Sequence, residues 1–298
     1  MIKIANVQVK SFDIDYLDIY WDLEDAFEDI NRYEFLVERA ETEFGPYVAV
    51  SDGMVDKYHF RDTTVRGRHS YYNKIYYRVT VRNRETGSSE SYPTLGGARL
   101  AAKPDLVALE MARLNNLKLK EFAGRKLWIF PKRKTGQRCS LCFDPVSQRK
   151  LRSQCTHCFD TSWVGGFHAP IEAYGVVVTP NEQTIHANFG NVENENTTLM
   201  IGNYPELYEG DIIVEAENVR WRVASTMSKI KKARSLVRQQ VALHRIPKGD
   251  VEYKLPINMT DAEIRELSAS PDRNYTNPQT LESAKLSNVL TDIFGNRK

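Results

Sequence analysis

All four cysteines of this chain fall within twenty residues of one another, as Cys139-Ser140-Leu141-Cys142 and, after twelve residues, Cys155-Thr156-His157-Cys158. Such crowding excludes a framework of disulfides joining distant parts of the chain. Each C-x2-C pair can curl so that both sulfurs face one ion, and two such knuckles complete a tetrahedral thiolate site with bonds of about 2.3 Å. The spacing therefore points to Zn2+ held by Cys139, Cys142, Cys155 and Cys158, in preference to free thiols, a redox pair or an iron–sulfur cluster. Four thiolates fill the coordination shell and leave no position for water, so the zinc is expected to be structural, standing in for a hydrophobic core. Structural zinc contributes about 10–16 kcal/mol in small peptides, as much as the whole stability of many domains. Loss of one cysteine is expected to unfold the lobe. His157 lies inside the second pair, but beside a full set of thiolates it reads as solvated or adjacent to the ligands. Further on, Gly165 and Gly166 mark a tight turn leading into a strand.

The 298 residues suggest two domains and a small metal-held lobe. A formal charge of +2 excludes a supercharged nucleic-acid coat. No apolar run is long enough to span a membrane, and the first residues lack the basic-then-apolar order of a secretory signal. The chain is thus expected neither to span a membrane nor to be secreted.

Residues 1–93 alternate with period two and predict a β-sandwich. Leu17, Ile19, Trp21 and Leu23 alternate with Asp18, Tyr20 and Asp22; Tyr33, Phe35 and Val37 repeat the pattern, and so do Ile75, Tyr77, Val79 and Val81. From Ala98 the spacing turns helical, with Leu106, Leu109, Arg113, Leu114 and Leu117 at steps of three and four. This predicts a linking helix over 98–122 whose stripe packs on β structure. Residues 123–256 return to strand-like runs around Leu127–Phe130, Val176–Val178, Thr198–Ile201, Ile212–Val214, Val219–Val223 and Val237–Ile246. These predict a second β domain carrying the zinc knuckles, with 250–258 as one more extended segment. Residues 257–298 form an expected extended polar tail, in which Thr260 is a candidate N-cap for a short helix over 259–268. The fold class is mainly β.

A hydrolase needs a nucleophile and base in context, and neither G-x-S-x-G nor H-E-x-x-H occurs. No phosphate loop or dinucleotide fingerprint occurs either. The six histidines, His59, His69, His157, His168, His186 and His244, lack metal-ligand spacing and read as turn or surface residues. Asp13, Asp15, Asp18 and Asp22 read as a solvated strand face. No catalytic residue, small-molecule substrate or bound organic cofactor is expected, and the chain is read as a non-enzyme. Two basic stretches, 132–138 (Lys132, Arg133, Lys134, Arg138) and 229–238 (Lys229, Lys231, Lys232, Arg234, Arg238), read as solvated loops or subunit contacts. Contact with DNA phosphates is the alternative.

Two resemblances follow from these residues. A Trp ending an early strand, a Tyr-x-Phe-x-Val strand after it and Tyr77-Arg78-Val79-Thr80-Val81-Arg82-Asn83 before a Gly-Ser turn resemble a fibronectin type III domain. On that pattern Ile75 stands where the family's strand-F tyrosine does, with Tyr72 and Tyr76 nearby. The order helix, Arg-Cys-Ser-Leu-Cys-Phe-Asp, Gln-Cys-Thr-His-Cys-Phe-Asp-Thr, Gly-Gly-Phe, then Tyr-Glu-Gly-Asp-Ile-Ile-Val-Glu and a hairpin to Val-Arg-Trp-Arg-Val is similar to neck proteins of tailed-phage virions, the head-completion or head-to-tail adaptors. Such sequences usually read Gly-Thr-Gly after the second knuckle, where this chain has Phe159-Asp160-Thr161. The resemblance implies a small β-barrel and a homo-oligomeric ring between portal and tail proteins. It also implies residence in the virion after synthesis in the host cytoplasm, and a tail that drapes over a neighbouring subunit. A zinc-ribbon nucleic-acid-binding protein, or a baseplate or decoration subunit, is the alternative.

Overall fold

The computed structural model describes residues 2–24, 28–178, 181–187, 190–215, 218–232 and 235–257, with backbone alone at 68–69, 181–187 and 190–195. Thr260 and the expected helix over 259–268 lie outside the described residues. Two compact units divide the chain: Met1–Arg113 with Lys134–Arg138 and Lys231–Leu236, and Leu114–Arg133 with Cys139–Ile230 and Val237–Lys298. Among the described residues, no helix is long and apolar enough to cross a membrane.

The first unit is a two-sheet sandwich. One sheet joins β1 (Ile4–Lys10), β2 (Leu17–Leu23) and β5 (His59–Asp62) in the order β1-β2-β5; the other joins β3 (Tyr33–Ala40), β4 (Val48–Ala49), β6 (Tyr76–Asn83) and β7 (Ser89–Tyr92) in the order β4-β3-β6-β7. The alternating residues do what their spacing predicts: Leu17, Ile19, Trp21, Phe35, Val37, Val79 and Val81 share one buried cluster. Period two puts them all on the inward faces.

One side chain there departs from expectation. Asp18 is 0% exposed, not solvated. Its Oδ1 accepts from Arg61 Nε at 2.8 Å and lies 2.8 Å from His59 Nε2, while its Oδ2 accepts from Arg61 Nη2 at 3.0 Å. The partners sit opposite on β5, so a position that alternation assigns to water is roofed by a cross-strand ion pair. Ile75 is buried just ahead of β6, and both tyrosines that open the strand, Tyr76 and Tyr77, are buried too; the Tyr77 hydroxyl donates to Asp62 Oδ2 at 2.8 Å, whereas Tyr72 is exposed.

A short helix, α1 (Gly67–Tyr72), precedes β6, and the linking helix α2 is shorter than its periodicity suggests, running Leu106–Lys118 before a π-turn over Leu119–Ala123. Asp105 caps it, its Oδ1 accepting from the amides of Val107 (3.0 Å) and Ala108 (3.1 Å). Ala98 cannot join, because its backbone exchanges two 2.7 Å hydrogen bonds with Tyr77. Of the leucines in the expected stripe Leu109 packs, beside Ala108 and Ala112, while Leu106, Leu114 and Leu117 stand exposed.

In the second unit β8 (Arg125–Phe130), β11 (Ile171–Val177), β13 (Gly190–Ile201), β14 (Ile212–Val214), β15 (Arg220–Lys232) and β16 (Ser235–Arg245) run β11-β8-β14-β15-β16-β13. Pairing of β11 with β13 closes them into a six-stranded barrel, and β12 (Asn181–Ala187) extends β13 as a hairpin. Closure needs a residue without a side chain where β11 meets both neighbours. At Gly175 a Cβ would lie 2.7 Å from Leu199 Cδ1 and 3.0 Å from Leu127 Cδ1.

All six strands contribute to one cluster, including Leu127, Ile129, Ala173, Leu199, Ile213, Trp221, Val223 and Val241. That cluster is the barrel interior. On the outer face, Trp128, Phe130, Ile212 and Val214 meet Phe159, Phe167, Ile246, Val251, Leu255 and Ile257. β8 and β14 are therefore buried on both sides, which is why they read as continuous apolar runs rather than alternating ones. The expected extended segment over 250–258 instead forms a 3-10 turn at Val251–Lys254, which tucks Val251 and Leu255 onto the barrel.

Candidate metal centre

The knuckle lobe occupies the connection between β8 and its antiparallel neighbour β11. It leaves the barrel through Lys132, whose amide donates to the buried Asp211 Oδ1 at 2.8 Å, and Arg133, whose amide donates to the Gly166 carbonyl at 3.0 Å. In the first knuckle the Cys139 amide donates to the Ser162 carbonyl (3.0 Å) and the Phe143 amide to the Cys139 carbonyl (3.1 Å). A two-residue-per-strand hairpin, β9 (Phe143–Asp144) with β10 (Arg149–Lys150), returns the chain, and the Leu151 amide donates to the Cys142 carbonyl at 2.8 Å.

Around the second knuckle the Cys158 carbonyl accepts from the Thr161 amide (3.0 Å) and its hydroxyl (2.7 Å). Asp160 Oδ1 accepts from the Cys155 amide at 3.3 Å and pairs with Lys150. The chain then doubles back through left-handed residues: Phe159 (φ 46°), Asp160 (68°), Ser162 (68°), Gly165 (82°) and Gly166 (67°). Such conformations are costly for residues with a Cβ unless the surroundings hold them. Here the Phe159 ring is buried against the barrel, while Asp160 is tied to Lys150 and Cys155. Gly166 has no such freedom, since a Cβ there would lie 2.6 Å from the Cys158 carbonyl oxygen.

This scaffold brings all four sulfurs within 4.8 Å of one another, with Cys142 Sγ 3.2 Å from Cys158 Sγ. A tetrahedron with metal–sulfur bonds of about 2.3 Å has edges of about 3.8 Å, so the four thiols bracket the required spacing. Cys139, Cys142 and Cys158 are buried and Cys155 half-buried. Their acidities are split. The thiol hydrogen bond from Cys158 pulls Cys139 down to about 5. Burial pushes Cys142 up to about 12, and the bond to Cys139 followed by burial pushes Cys158 up as well. A dry pocket disfavours adjacent negative charges. A divalent cation supplies the missing positive charge and favours deprotonation of the whole set. The residues fit a metal ion held by four cysteines.

Among the described residues, no other group of histidine, cysteine and carboxylate side chains has that proximity. His59 belongs to the Asp18 pair and stacks on Tyr20 with ring centroids 4.5 Å apart, so it is more than the turn or surface residue its spacing suggests. His244 is exposed and hydrogen-bonded to Asn196. The side chains of His69 and His186 and all of Arg234 lie outside the described residues.

Of the basic stretches, Arg133 is 2% exposed and its Nε donates to the Phe167 carbonyl at 3.1 Å, so it is a structural strut rather than a phosphate ligand. Lys229 pairs with Glu206 at 2.9 Å, whereas Lys231 and Arg238 are exposed. The Asp18 and Phe159 arrangements escape sequence reading because their determinants are tertiary: a facing strand in one case, an apolar barrel wall in the other.

No protein-family model matches the chain, and no curated protein matches it. Among solved structures, the phage-like element PBSX protein xkdH from Bacillus subtilis is similar at 10% identity and a TM-score of 0.24, over 41% of this chain and 93% of that chain. Overlap at that score assigns neither fold nor function.

Proposed function

We propose that the chain is a structural subunit of a tailed-phage virion neck, a head-to-tail connector that assembles as a homo-oligomeric ring with portal and tail proteins. In this reading zinc is a staple, and the protein is made in the host cytoplasm and carried in the virion. The observation that carries the proposal is the four-thiol cluster itself: it uses all its ligands to lock a lobe onto the outer wall of a barrel, and four thiolates leave no coordination position for substrate or water. Such a device stiffens surfaces for contact and supplies no chemistry. The order of motifs from α2 to the β14–β15 hairpin supports the neck assignment. The joining of β4 to the sheet of β3, β6 and β7 supports a fibronectin type III reading of the sandwich, which the ring would display outward.

Electron microscopy of the purified chain, with metal quantification, tests this. Rings holding one zinc per subunit are expected. A protein that stays monomeric at high concentration and is absent from purified particles would refute it. A second reading, binding of nucleic acid, draws support from exposed Lys231 and Arg238 on the β15–β16 hairpin. It requires affinity for duplex DNA that falls steeply between two salt concentrations, a slope that assembly does not demand.

A further inference from the structure

Val146, Leu95, Phe44, Leu151 and Val48 are five of the six most exposed large apolar side chains among the described residues, and they fall in two small patches. The first is on the sandwich. Phe44 and Val48 flank the turn that leads into β4, and the loop of Leu95 lies against that turn, since a Cβ at Gly96 would sit 3.0 Å from Glu43 Cγ. Tyr47 fixes the turn, its hydroxyl donating to the Glu43 carbonyl at 2.5 Å. Glu41 and Glu43 rim the patch, both exposed and neither in an ion pair among the described residues.

The second patch is on the knuckle lobe. Val146 stands in the turn of the β9–β10 hairpin, and the 2.8 Å bond from the Leu151 amide to the Cys142 carbonyl holds Leu151 at the first knuckle, where Leu141 is also exposed. Its rim has the opposite sign. Arg149 and Arg152 are exposed and in no ion pair among the described residues. The nearby carboxylates are already engaged: Asp144 accepts from the Val146 amide (3.0 Å) and the Ser147 hydroxyl (2.6 Å), and Asp160 pairs with Lys150. Clustered apolar side chains this exposed mark a contact surface, and opposite charges at the rims select which surface meets which.

We propose that the knuckle-lobe patch of one copy docks on the sandwich patch of a second copy, with Arg149 and Arg152 facing Glu41 and Glu43. Each patch carries three exposed apolar residues and two charges that the other complements, which is why the occupant is another copy of this chain. A contact between two different patches is heterologous: every copy offers one surface and receives the other, and repetition closes a ring or runs on as a filament. The inference rests on the ring reading above and names the surfaces that join neighbours.

Sedimentation velocity of the full-length protein, with particle shape read by electron microscopy, tests this. Arg149→Glu with Arg152→Glu, and separately Glu41→Arg with Glu43→Arg, should each weaken self-association by about tenfold or more, because like charges then meet. All four positions are exposed, so each variant should melt with the parent. Mixing the two variants should restore association, since the acidic lobe of one fits the basic loop of the other while their unaltered patches also match. Parent rings that survive both swaps, or association lost in the swaps and not rescued by mixing, would overturn the contact and leave the ring reading standing. Swap-sensitive filaments, rescued by mixing, would support the contact and refute the ring. A parent that stays monomeric overturns both.

Discussion

Replacing Cys158 by serine is the sharpest test of how the second unit is held together. Its thiol is fully buried and 3.2 Å from Cys142 Sγ, so serine leaves three thiolates and a poor fourth ligand. The metal term at stake is about 10–16 kcal/mol. Little else inside the lobe can replace it, since its own buried cluster consists of cysteines and its aromatic residues Phe159 and Phe167 pack outward on the barrel. The lobe should therefore open while the barrel survives. Opening strips Phe159 from the outer wall, equivalent to truncating a buried phenylalanine, at a cost of about 3–5 kcal/mol. At about 2–4 °C per kcal/mol for a unit of this size, Tm should drop by roughly 6–20 °C. Bound zinc is measured by colorimetric release, the melt by circular dichroism, and the opening by limited proteolysis between Cys139 and Gly166. A serine variant that keeps one equivalent of zinc, resists proteolysis and melts with the parent would refute the staple.

Three further outcomes are expected. Gly166→Ala should reduce metal retention and stability by 1 kcal/mol or more, on the order of the cost of a left-handed alanine, because its Cβ meets the Cys158 carbonyl; a chelator-challenge assay reads it. His157→Ala should retain full metal content in the same assay, since the four thiols already supply a closed shell. Burial raises the Asp18 pKa, but the hydrogen bonds and charges of His59 and Arg61 outweigh it and hold the carboxyl below its usual range. The pair's contribution is then complete above about pH 4, the ordinary carboxylate range, and drains away as pH falls through the lower folded value. Asp18→Asn should lose about 1–3 kcal/mol at neutral pH and flatten the acid limb of a urea-denaturation series. An acid limb as steep as the parent's would show that the pair does not contribute.

The sandwich strands were legible because one face of each is wet, so period-two spacing survives in the sequence. The clustering of the four cysteines was legible because knuckle geometry is local: each pair lies within four residues. What sequence left hidden is set by surfaces that meet only after folding. Asp18 obeys strand alternation yet is buried, because His59 and Arg61 arrive from β5 more than forty positions later. Helical spacing in α2 identified a helix but misplaced its packed face: Ala108 and Ala112 permit a close approach beside Leu109, while Leu106, Leu114 and Leu117, which the pattern also marks as core, face out. The basic run around Arg133 shows charge but not the Phe167 carbonyl that absorbs it.

The knuckle lobe departs from and returns to strands that are ladder partners, Ile129 standing opposite Ile171. Its two ends are therefore held about one strand spacing apart by the barrel alone. The cylinder can thus zip shut while the cysteines are still empty-handed, and an ion bound there would load onto a barrel already closed. A newly made chain short of metal would wait as a closed barrel with a loose flap, ready to be completed if an ion arrives.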